Sequence, residues 1–258
     1  MNTVRNILAI AGKEMRSYFA SPIAYIIIGL FALLFGWFFY VYLHVFVEQS
    51  QRMSMMGGGN VNVNEQMIRG VLQNAAVIIL FVMPMITMRT YSEEKRSGTI
   101  ELLLTAPLTD VQIILGKFLG AISLYAAMLL VTVPSVLVLF AYGNPDWQPV
   151  ATSYLGLFLL GSSFIAFGLF ISSLTQNQII AGVLTFVLLL MLLLVGWLKD
   201  FVTSPAALAA VSAVSIFEHF DDFTKGVLDT KHLAYYVSVI TFGLFLTARS
   251  VDGERWRG

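Results

Sequence analysis

Cysteine is absent from this chain of 258 residues, so neither a disulfide framework nor a cysteine-based zinc site can form. Charge is also scarce, because charged residues make up 12% of the sequence, about half the share of a soluble domain. The formal net charge is zero, which argues against nucleic-acid binding, since proteins of that class carry a basic field. These absences point away from secreted disulfide-rich domains, zinc proteins and nucleic-acid-binding proteins.

Motifs for nucleotide binding and for catalysis are missing too. Gly12-Lys13 and Gly116-Lys117 both lack the earlier glycine of a phosphate-binding loop. No metalloprotease motif, nucleophile elbow or paired intramembrane carboxylate occurs. We therefore expect a protein that is not an enzyme, with no catalytic residue, metal or cofactor of its own. If it moves something uphill, another polypeptide must supply the energy.

Long apolar runs dominate what is present: 58% of the residues are hydrophobic and the mean hydropathy is +0.81. A helix needs about 20 mainly apolar residues to cross a bilayer, and the first run is too long for a signal-peptide core. We predict an all-α membrane protein in which residues 1–258 form one transmembrane domain with six spans. The predicted spans are Pro22–Val47, Gly70–Met88, Val111–Tyr142, Val150–Leu174, Ile179–Leu198 and Leu233–Thr247.

Lysine and arginine counts predict the orientation of these spans. With the N-terminus inside, the cytoplasmic segments carry ten of the fifteen basic residues and the outer segments carry five. Because cytoplasmic loops are enriched in lysine and arginine, we expect both termini in the cytoplasm of a bacterial inner membrane. The ten are Arg5, Lys13, Arg16, Arg89, Lys95, Arg96, Lys117, Arg249, Arg255 and Arg257.

The spans carry no Asp, Glu, Lys or Arg away from their ends, which disfavours an ion-coupled secondary transporter. His44, near the outer end of the first span, has only Glu48 as an acidic neighbour within a turn, and we interpret it as an interfacial residue. Pro84 and Pro134 can kink the second and third spans, although helix packing accounts for most membrane prolines.

Residues 3–19 precede the first span and show helical periodicity. One face is apolar and the opposite face carries Arg5, Lys13 and Arg16, as in a helix that lies along a membrane surface. Ile10 and Glu14 sit near the borders and blur this pattern. The alternative is a helix that merely anchors the first span. The apolar face comprises Val4, Ile7, Leu8, Ala11, Met15, Tyr18 and Phe19.

The outer segments contain three features that need an interpretation. Within residues 199–232, Ala206–Val214 is apolar but about half a span long, so we expect a re-entrant segment. FEHFDD (Glu218, His219, Asp221 and Asp222) combines carboxylates with an imidazole, as a divalent-ion site does, but a solvated loop or helix end is the simpler interpretation. Thioethers can bind Cu(I), yet methionine often serves adaptable contacts instead. The methionines in question are Met53, Met55, Met56 and Met67.

Residues 91–110, YSEEKRSGTIELLLTAPLTD, form a dense polar block between the second and third spans. We expect the second helix to continue through Arg96 and to stop at Ser97-Gly98, since glycine accepts the left-handed conformation. Thr99 can then cap a short helix, Ile100–Thr105, with Glu101 in its first turn.

Proline at position 107 ends that short helix, because the residue before a proline disfavours helical geometry. Thr109 or Asp110 then caps the third span. The block thus predicts a rigid transverse helix that presents Leu102, Leu103 and Leu104 to the cytoplasm. An ordinary connecting loop is the alternative, but it would not need three leucines.

The block resembles the permease family of type-2 ABC transporters. The resemblance implies that this loop is a coupling helix seated in a groove of an ATP-binding subunit, that residues 3–19 are the N-terminal connecting helix and that Ala206–Val214 is the outer re-entrant segment. SIFEHFDDFTKGVLD and LTARSVDGERWRG are similar to the branch with gliding-motility-associated and nitrous-oxide-reductase-maturation permeases. The residues that match the family are Glu94, Gly98, Thr99, Glu101, Leu103, Pro107 and Gly116-Lys117.

The expected function is that of the membrane subunit of an ABC exporter. ATP and magnesium would be bound by a partner ATPase, which would push on Glu94, Gly98, Thr99, Glu101, Leu102, Leu103 and Pro107. A second permease, identical or related, would form the path, whose apolar walls suit hydrophobic cargo or force delivered to an outer accessory protein. The bilayer is the other partner and no nucleic acid is expected. The alternative is a membrane scaffold or channel without an ATPase.

Overall fold

The computed structural model describes residues 3–56, 62–101, 107–143 and 145–255, and within these ranges it contains helices and no strand. A π-helix, Asn64–Ile68, precedes the third α-helix, and a 3-10 turn, Leu198–Phe201, follows the eighth. The α-helices are α1 (Thr3–Ala20), α2 (Pro22–Met55), α3 (Arg69–Thr87), α4 (Ser92–Arg96), α5 (Asp110–Leu130), α6 (Val133–Tyr142), α7 (Trp147–Leu174), α8 (Gln178–Trp197), α9 (Pro205–Val214), α10 (Ile216–Thr224) and α11 (Thr230–Arg255).

Six helical segments are long and apolar enough to cross a membrane, which confirms the predicted number of spans. The first span, α2, begins at Pro22 as expected, after Ser21 caps its N-terminus, but it continues to Met55. The six segments are Pro22–Met55, Asn64–Arg96, Asp110–Tyr142, Trp147–Leu174, Gln178–Trp197 and Thr230–Gly253.

The two prolines inside spans have different effects. Pro84 lies within α3, which continues to Thr87. The third span is interrupted at residues 131–132, just before Pro134 in the first turn of α6. Proline has no N–H to donate to the preceding turn, and the Thr132 hydroxyl lies 2.7 Å from the Tyr154 hydroxyl of α7 at this break. The third span is therefore broken just before Pro134, whereas α3 continues past Pro84 without a break.

The fourth span, α7, lies at the centre of the bundle and packs against α3, α5, α8, α10 and α11. Its glycines let neighbours approach closely, since a Cβ at Gly161 would lie 2.3 Å from the Tyr125 ring and one at Gly168 would lie 2.2 Å from Thr87 Oγ1. Such small residues are typical of helix contacts within membranes. In the most hydrophobic windows of the second and fourth spans 67% of the residues are buried, against 17% in the first and fifth.

Two ends of the bundle can be distinguished along α7. Thr152 Oγ1 donates to the carbonyl of Phe223 in α10 at 2.8 Å, and Ser172 Oγ accepts from Tyr91 N, just before α4, at 3.1 Å. These two serine and threonine positions are about 30 Å apart on a helix that rises 1.5 Å per residue. We call the end of the bundle near Thr152 the α10 end and the end near Ser172 the α4 end.

The features expected on the outer side lie at the α10 end. Helix α9, Pro205–Val214, is too short to cross a bilayer. FEHFDD lies in the amphipathic helix α10 rather than in a loop, and Asp221 accepts a 2.6 Å salt bridge from Arg69. Met67 belongs to the buried core, so it lies apart from the exposed Met55 and Met56, and the tetrad of methionines suggested by the sequence does not form one exposed cluster.

Candidate functional site

The polar block begins with a break in the helix that the sequence did not predict. A turn at residues 88–91 separates α3 from α4, so the second helix does not run continuously to Arg96. Ser172 of α7 accounts for the break, because its hydroxyl accepts from the backbone N–H groups of Tyr91 and Ser92 and donates to the Met88 carbonyl at 3.1 Å. A side chain that inserts into the backbone ladder in this way kinks a helix.

Helix α4 ends where the sequence indicates. Ser97 is its C-cap, and Gly98 has φ of 71°, the left-handed region that glycine adopts at low cost. Residues 99–101 are helical, so the new helix starts at Thr99 itself. The Thr99 hydroxyl lies 2.9 Å from the Ser97 hydroxyl and donates to the Glu94 carbonyl at 3.4 Å. Gly98 therefore separates α4 from the helical residues 99–101.

The tip of the block is exposed where the structure describes it. Gly98, Thr99, Glu101 and Pro107 are all exposed, whereas Ile100 packs against the hydrophobic core. Leu102 and Leu103, which the resemblance places in the ATPase contact, lie outside the described residues, as does the rest of 102–106. Among the described residues of the tip, four are thus exposed and Ile100 contacts the core of the bundle.

The third span starts at a defined cap. Of the two candidates, Thr109 is the N-cap of α5: it has extended backbone geometry, and its hydroxyl accepts from Gln112 N at 3.4 Å. Asp110 is the first residue of α5, where a carboxylate is favourable to the helix dipole. The cap fixes the position of α5 relative to the polar block.

A buried lysine holds the α4 end together. Lys117 of α5 is 1% exposed, and its ammonium group lies 2.9 Å from Glu14 Oε1 of α1 and 2.8 Å from Glu94 Oε2 of α4. It also donates to the Thr90 carbonyl at 2.9 Å. The contacts with Glu14 and with the Thr90 carbonyl are hydrogen bonds, whereas the contact with Glu94 Oε2 is an ion pair without hydrogen-bond geometry. The aromatic ring of Tyr91, 5.0 Å away, covers a further side of the cation.

We call Lys117, Glu14 and Glu94 the Lys117 cluster. A second cation lies near this cluster. Two carboxylates face one buried ammonium group, and Lys13 of α1 approaches Glu94 Oε1 at 3.5 Å. The side chain of Lys13 is 67% exposed while that of Glu94 is 15% exposed, so this second contact is screened by solvent and weak. The buried contacts of Lys117 therefore dominate the cluster.

Helix α1 reaches the cluster because α5 offers it a groove of small residues. A Cβ at Gly116 would lie 2.6 Å from the Ile10 Cβ, and one at Gly120 would lie 2.6 Å from the Glu14 Cβ. Ile10 is the buried residue of α1. The residues that blurred the amphipathic pattern, Ile10 and Glu14, are thus those that face α5, while Val4 and Leu8 of the predicted apolar face are exposed to the surroundings of the bundle.

Further polar contacts attach both ends of α1 to the spans. Asn6 donates to Gln112 Oε1 of α5 at 3.2 Å. Tyr18 donates to the Ile86 carbonyl at 3.2 Å and lies 3.4 Å from Thr90 Oγ1. Burial raises the pKa of the Tyr18 phenol well above its ordinary value, so the hydroxyl remains a donor. Helix α1 is therefore fixed along its length to the second and third spans.

Sequence reasoning found Glu94 but missed its partners. The sequence pattern places Glu14 at a blurred border and includes Lys117 in the family resemblance, but it links neither residue to Glu94 and does not single out Ser172. The usable signal was the Gly-x-x-x-Gly spacing of Gly116 and Gly120 around a lysine, which marks a close helix contact at a charged position. The cluster joins α1, α4 and α5 through the two ion pairs of one buried ammonium group.

Comparisons with known proteins found both a family and relatives that match this chain. A family model described as ABC-2 family transporter protein matches residues 8–249. The chain is 32% identical over 154 residues to proteins named probable multidrug ABC transporter permease YbhR in Escherichia coli K12 and in Escherichia coli O157:H7. The matched region covers 59% of this chain and 41% of each relative. The chain therefore spans about two fifths of the length of these relatives.

Proposed function

Because this chain belongs to the ABC-2 family of transporter proteins, we propose that it is the permease subunit of an ATP-driven exporter. Its six apolar helices make it a multi-pass membrane protein. The relatives are named as ABC transporter permeases, and the chain carries no phosphate-binding loop. A separate ATPase subunit would therefore bind ATP and magnesium and supply the energy.

The ATPase is proposed to contact the tip of the polar block, residues 98–107. Gly98, Thr99, Glu101 and Pro107 are exposed there, and a polar surface that projects from an apolar bundle suits a soluble partner. Leu102 and Leu103 are proposed as the apolar anchors of this contact, since a few buried side chains carry most of the energy of an interface.

The Lys117 cluster is the observation that carries this proposal. A push on the tip moves α4, and the 2.8 Å contact between Glu94 and Lys117 passes this movement to the third span. The 2.9 Å contact between Lys117 and Glu14 passes it to α1. Because removal of one partner from a buried ion pair costs about 3–5 kcal/mol, we expect both pairs to stay closed while the tip moves, so that the three helices move together.

A hydrophobic or lipidic cargo is the substrate class that the composition supports. The spans offer apolar walls, and the relatives are named as multidrug permeases. The first and fifth spans, whose apolar windows are only 17% buried, leave faces that a second permease or lipid would cover. The branch with gliding-motility and nitrous-oxide-reductase-maturation permeases stays a prediction.

Co-purification with an ATPase tests the proposed function. The chain would be produced together with the product of a neighbouring reading frame that carries a phosphate-binding loop. We expect the ATPase to be recovered with the wild-type chain. Glu101→Arg combined with Leu103→Ala should leave the permease inserted but lower ATPase recovery or ATP-driven activity at least about tenfold, which corresponds to 1.4 kcal/mol.

Leu137→Ala is the matched control, because it truncates the same kind of side chain on the exposed face of α6, within the third span and away from the tip. It should leave ATPase recovery unchanged. Normal ATPase recovery and activity in the double variant would contradict the coupling assignment. If no ATPase associates with the wild-type chain, the protein is instead a scaffold or channel.

A further inference from the structure

Two buried histidines lie against each other at the α10 end, about 30 Å along α7 from the Lys117 cluster. His219 of α10 and His232 of α11 are 4% and 8% exposed, and their Nδ1 atoms are 2.6 Å apart. The other ring nitrogens also have partners: His232 Nε2 lies 3.1 Å from Asp222 Oδ2, and His219 Nε2 lies 3.4 Å from the Ala213 carbonyl oxygen. Three polar contacts in series thus connect the Ala213 carbonyl to the Asp222 carboxylate through the two rings.

The number of hydrogens in this series of contacts follows from the two groups at its ends, the Ala213 carbonyl and the Asp222 carboxylate. A carbonyl oxygen and an ionised carboxylate only accept hydrogen bonds, so both Nε2 atoms must carry hydrogen. The contact between the two Nδ1 atoms needs one more hydrogen on one side. Two neutral imidazoles carry two hydrogens in total, and this arrangement needs three. The geometry therefore matches a pair that has taken up one additional proton.

We propose that His219 and His232 form a proton-binding site that fixes helix α9 to the bundle when it holds one proton. With no extra proton, one of the three contacts has no hydrogen and opens. With two extra protons, two N–H groups face each other at the central contact and repel. The observed arrangement is stable in the singly charged state alone, and this inference goes beyond the transport function proposed above.

The surroundings of the pair favour a single positive charge. Asp222 supplies the opposite charge, and the ring of Tyr235 lies 3.8 Å from that of His219, as in a cation–π contact. A second charge is disfavoured, because burial lowers the pKa of His219, an effect to which nearby His232 and Lys231 add and which the Ala213 carbonyl and Glu218 oppose.

The charged groups around the pair lie on α10, on α11 and before α9, and not on α9 or α7. Helix α9 contributes carbonyl groups and no titratable side chain, and α7 contributes no charged residue. Two of the acidic groups are themselves paired, Glu218 with Lys199 at 2.5 Å and Asp222 with Lys225 at 2.9 Å. The titratable groups around the pair are Glu218, Asp222 and Lys225 on α10, Lys231, Tyr235 and Tyr236 on α11, and Lys199 before α9.

Helix α9 depends on this site because apolar burial does not hold it. None of its residues is buried. The C-terminal end of α9 is attached by polar contacts: Ala213 to His219, the Val214 carbonyl to the Tyr235 hydroxyl at 2.7 Å, and Ser212 to Glu218 at 3.1 Å. An element held by few apolar contacts opens at low free-energy cost. Loss of the single proton at higher pH, or uptake of a second proton on acidification, should therefore release α9.

Nuclear magnetic resonance of the full chain in lipid nanodiscs tests the site directly. The sequence has three histidines, so ¹⁵N-histidine labelling marks only His44, His219 and His232. We expect an Nδ1–Nδ1 coupling across the hydrogen bond within a window of pH, and its loss on acidification. His44, whose side chain is 60% exposed, lies on another helix and supplies the reference signal outside the pair. Independent titration of all three histidines, with no coupling at any pH, would overturn the proposal.

A spin label on α9 tests the consequence. Because the chain has no cysteine, Ala210→Cys gives one labelling site at an exposed position of α9. We expect the label to be least mobile within the window of pH in which the pair holds one proton and reversibly more mobile at lower and higher pH, and this dependence to be lost in His219→Gln and retained in the control His44→Gln. The proposal would be contradicted if the mobility of the label does not change with pH when Ala210→Cys is the only substitution. It would also be contradicted if the mobility still changes with pH in His219→Gln.

Discussion

Gly116 of α5 lies so close to Ile10 of α1 that a Cβ at Gly116 would sit 2.6 Å from the Ile10 Cβ. This approach is closer than real Cβ contacts allow, so the position requires glycine. The contact lies one residue before Lys117, and it brings Glu14, one turn further along α1, within 2.9 Å of the Lys117 ammonium group. Steric fit and ion pairing at the α4 end thus depend on each other.

We predict that Gly116→Ala displaces α1 from α5. Overpacking of this kind costs about 1–3 kcal/mol. Asn6 and Gln112, whose side chains are 3.2 Å apart, would be replaced by cysteines in the otherwise cysteine-free chain, and oxidative cross-linking would report the contact. Cross-linking should fall in Gly116→Ala. Gly12→Ala, on α1 with nothing within 4 Å of an added Cβ, is the control and should cross-link normally.

Lys117→Met should destabilise the bundle more than any exposed lysine change. It leaves Glu14 and Glu94 without their buried cation, and removal of one partner of a buried pair costs about 3–5 kcal/mol. Lys13→Met, whose side chain is 67% exposed, should cost about 0–1 kcal/mol. Thermal unfolding in detergent measures both.

The same cluster offers a compensation test. Glu14→Gln and Glu94→Gln added to Lys117→Met remove the uncompensated negative charges, so the triple variant should regain part of the lost thermal stability. If it is as unstable as Lys117→Met alone, the loss is one of packing and the ion-pair argument fails.

Ser172→Ala tests the origin of the break before α4. The Ser172 hydroxyl serves the backbone N–H groups of Tyr91 and Ser92, and buried donors left without a partner cost about 1–3 kcal/mol each. We expect lower thermal stability and faster hydrogen exchange at these two amides. Ser163→Ala is a matched control, since Ser163 is buried in the same helix but donates only to Leu159 O of that helix. Equal effects of the two changes would argue against a capping role for Ser172.

Cysteine labelling tests the orientation of the spans. With both termini in the cytoplasm, Ser54→Cys and Thr203→Cys should react with a membrane-impermeant reagent from outside intact cells. Ser97→Cys and Gln176→Cys should react only after permeabilisation. All four positions are exposed in the structure, so a lack of reaction reports the side of the membrane rather than burial. Labelling of Ser97→Cys from outside would reverse the orientation and exclude an ATPase at the tip.

The sequence by itself determined the class of the protein and some of the ends of its helices. Six spans follow from the length of the apolar runs, because a bilayer requires about 20 apolar residues from each crossing helix. The helix end at Gly98 and the cap at Thr109 follow from local backbone preferences that one or two residues express. Properties of this kind depend on neighbours in the chain, which a sequence displays directly.

Only the tertiary structure decided which distant residues meet. Lys117 pairs with Glu14, 103 residues away in sequence, and the helix break at Tyr91 depends on Ser172, 81 residues away. Helical periodicity assigned Glu14 to a blurred border, because periodicity measures apolar character and cannot register that a groove of glycines receives a carboxylate. The shared proton of His219 and His232 likewise requires two rings on separate helices at 2.6 Å. Their separation is set by how α10 and α11 pack, and no local pattern encodes it.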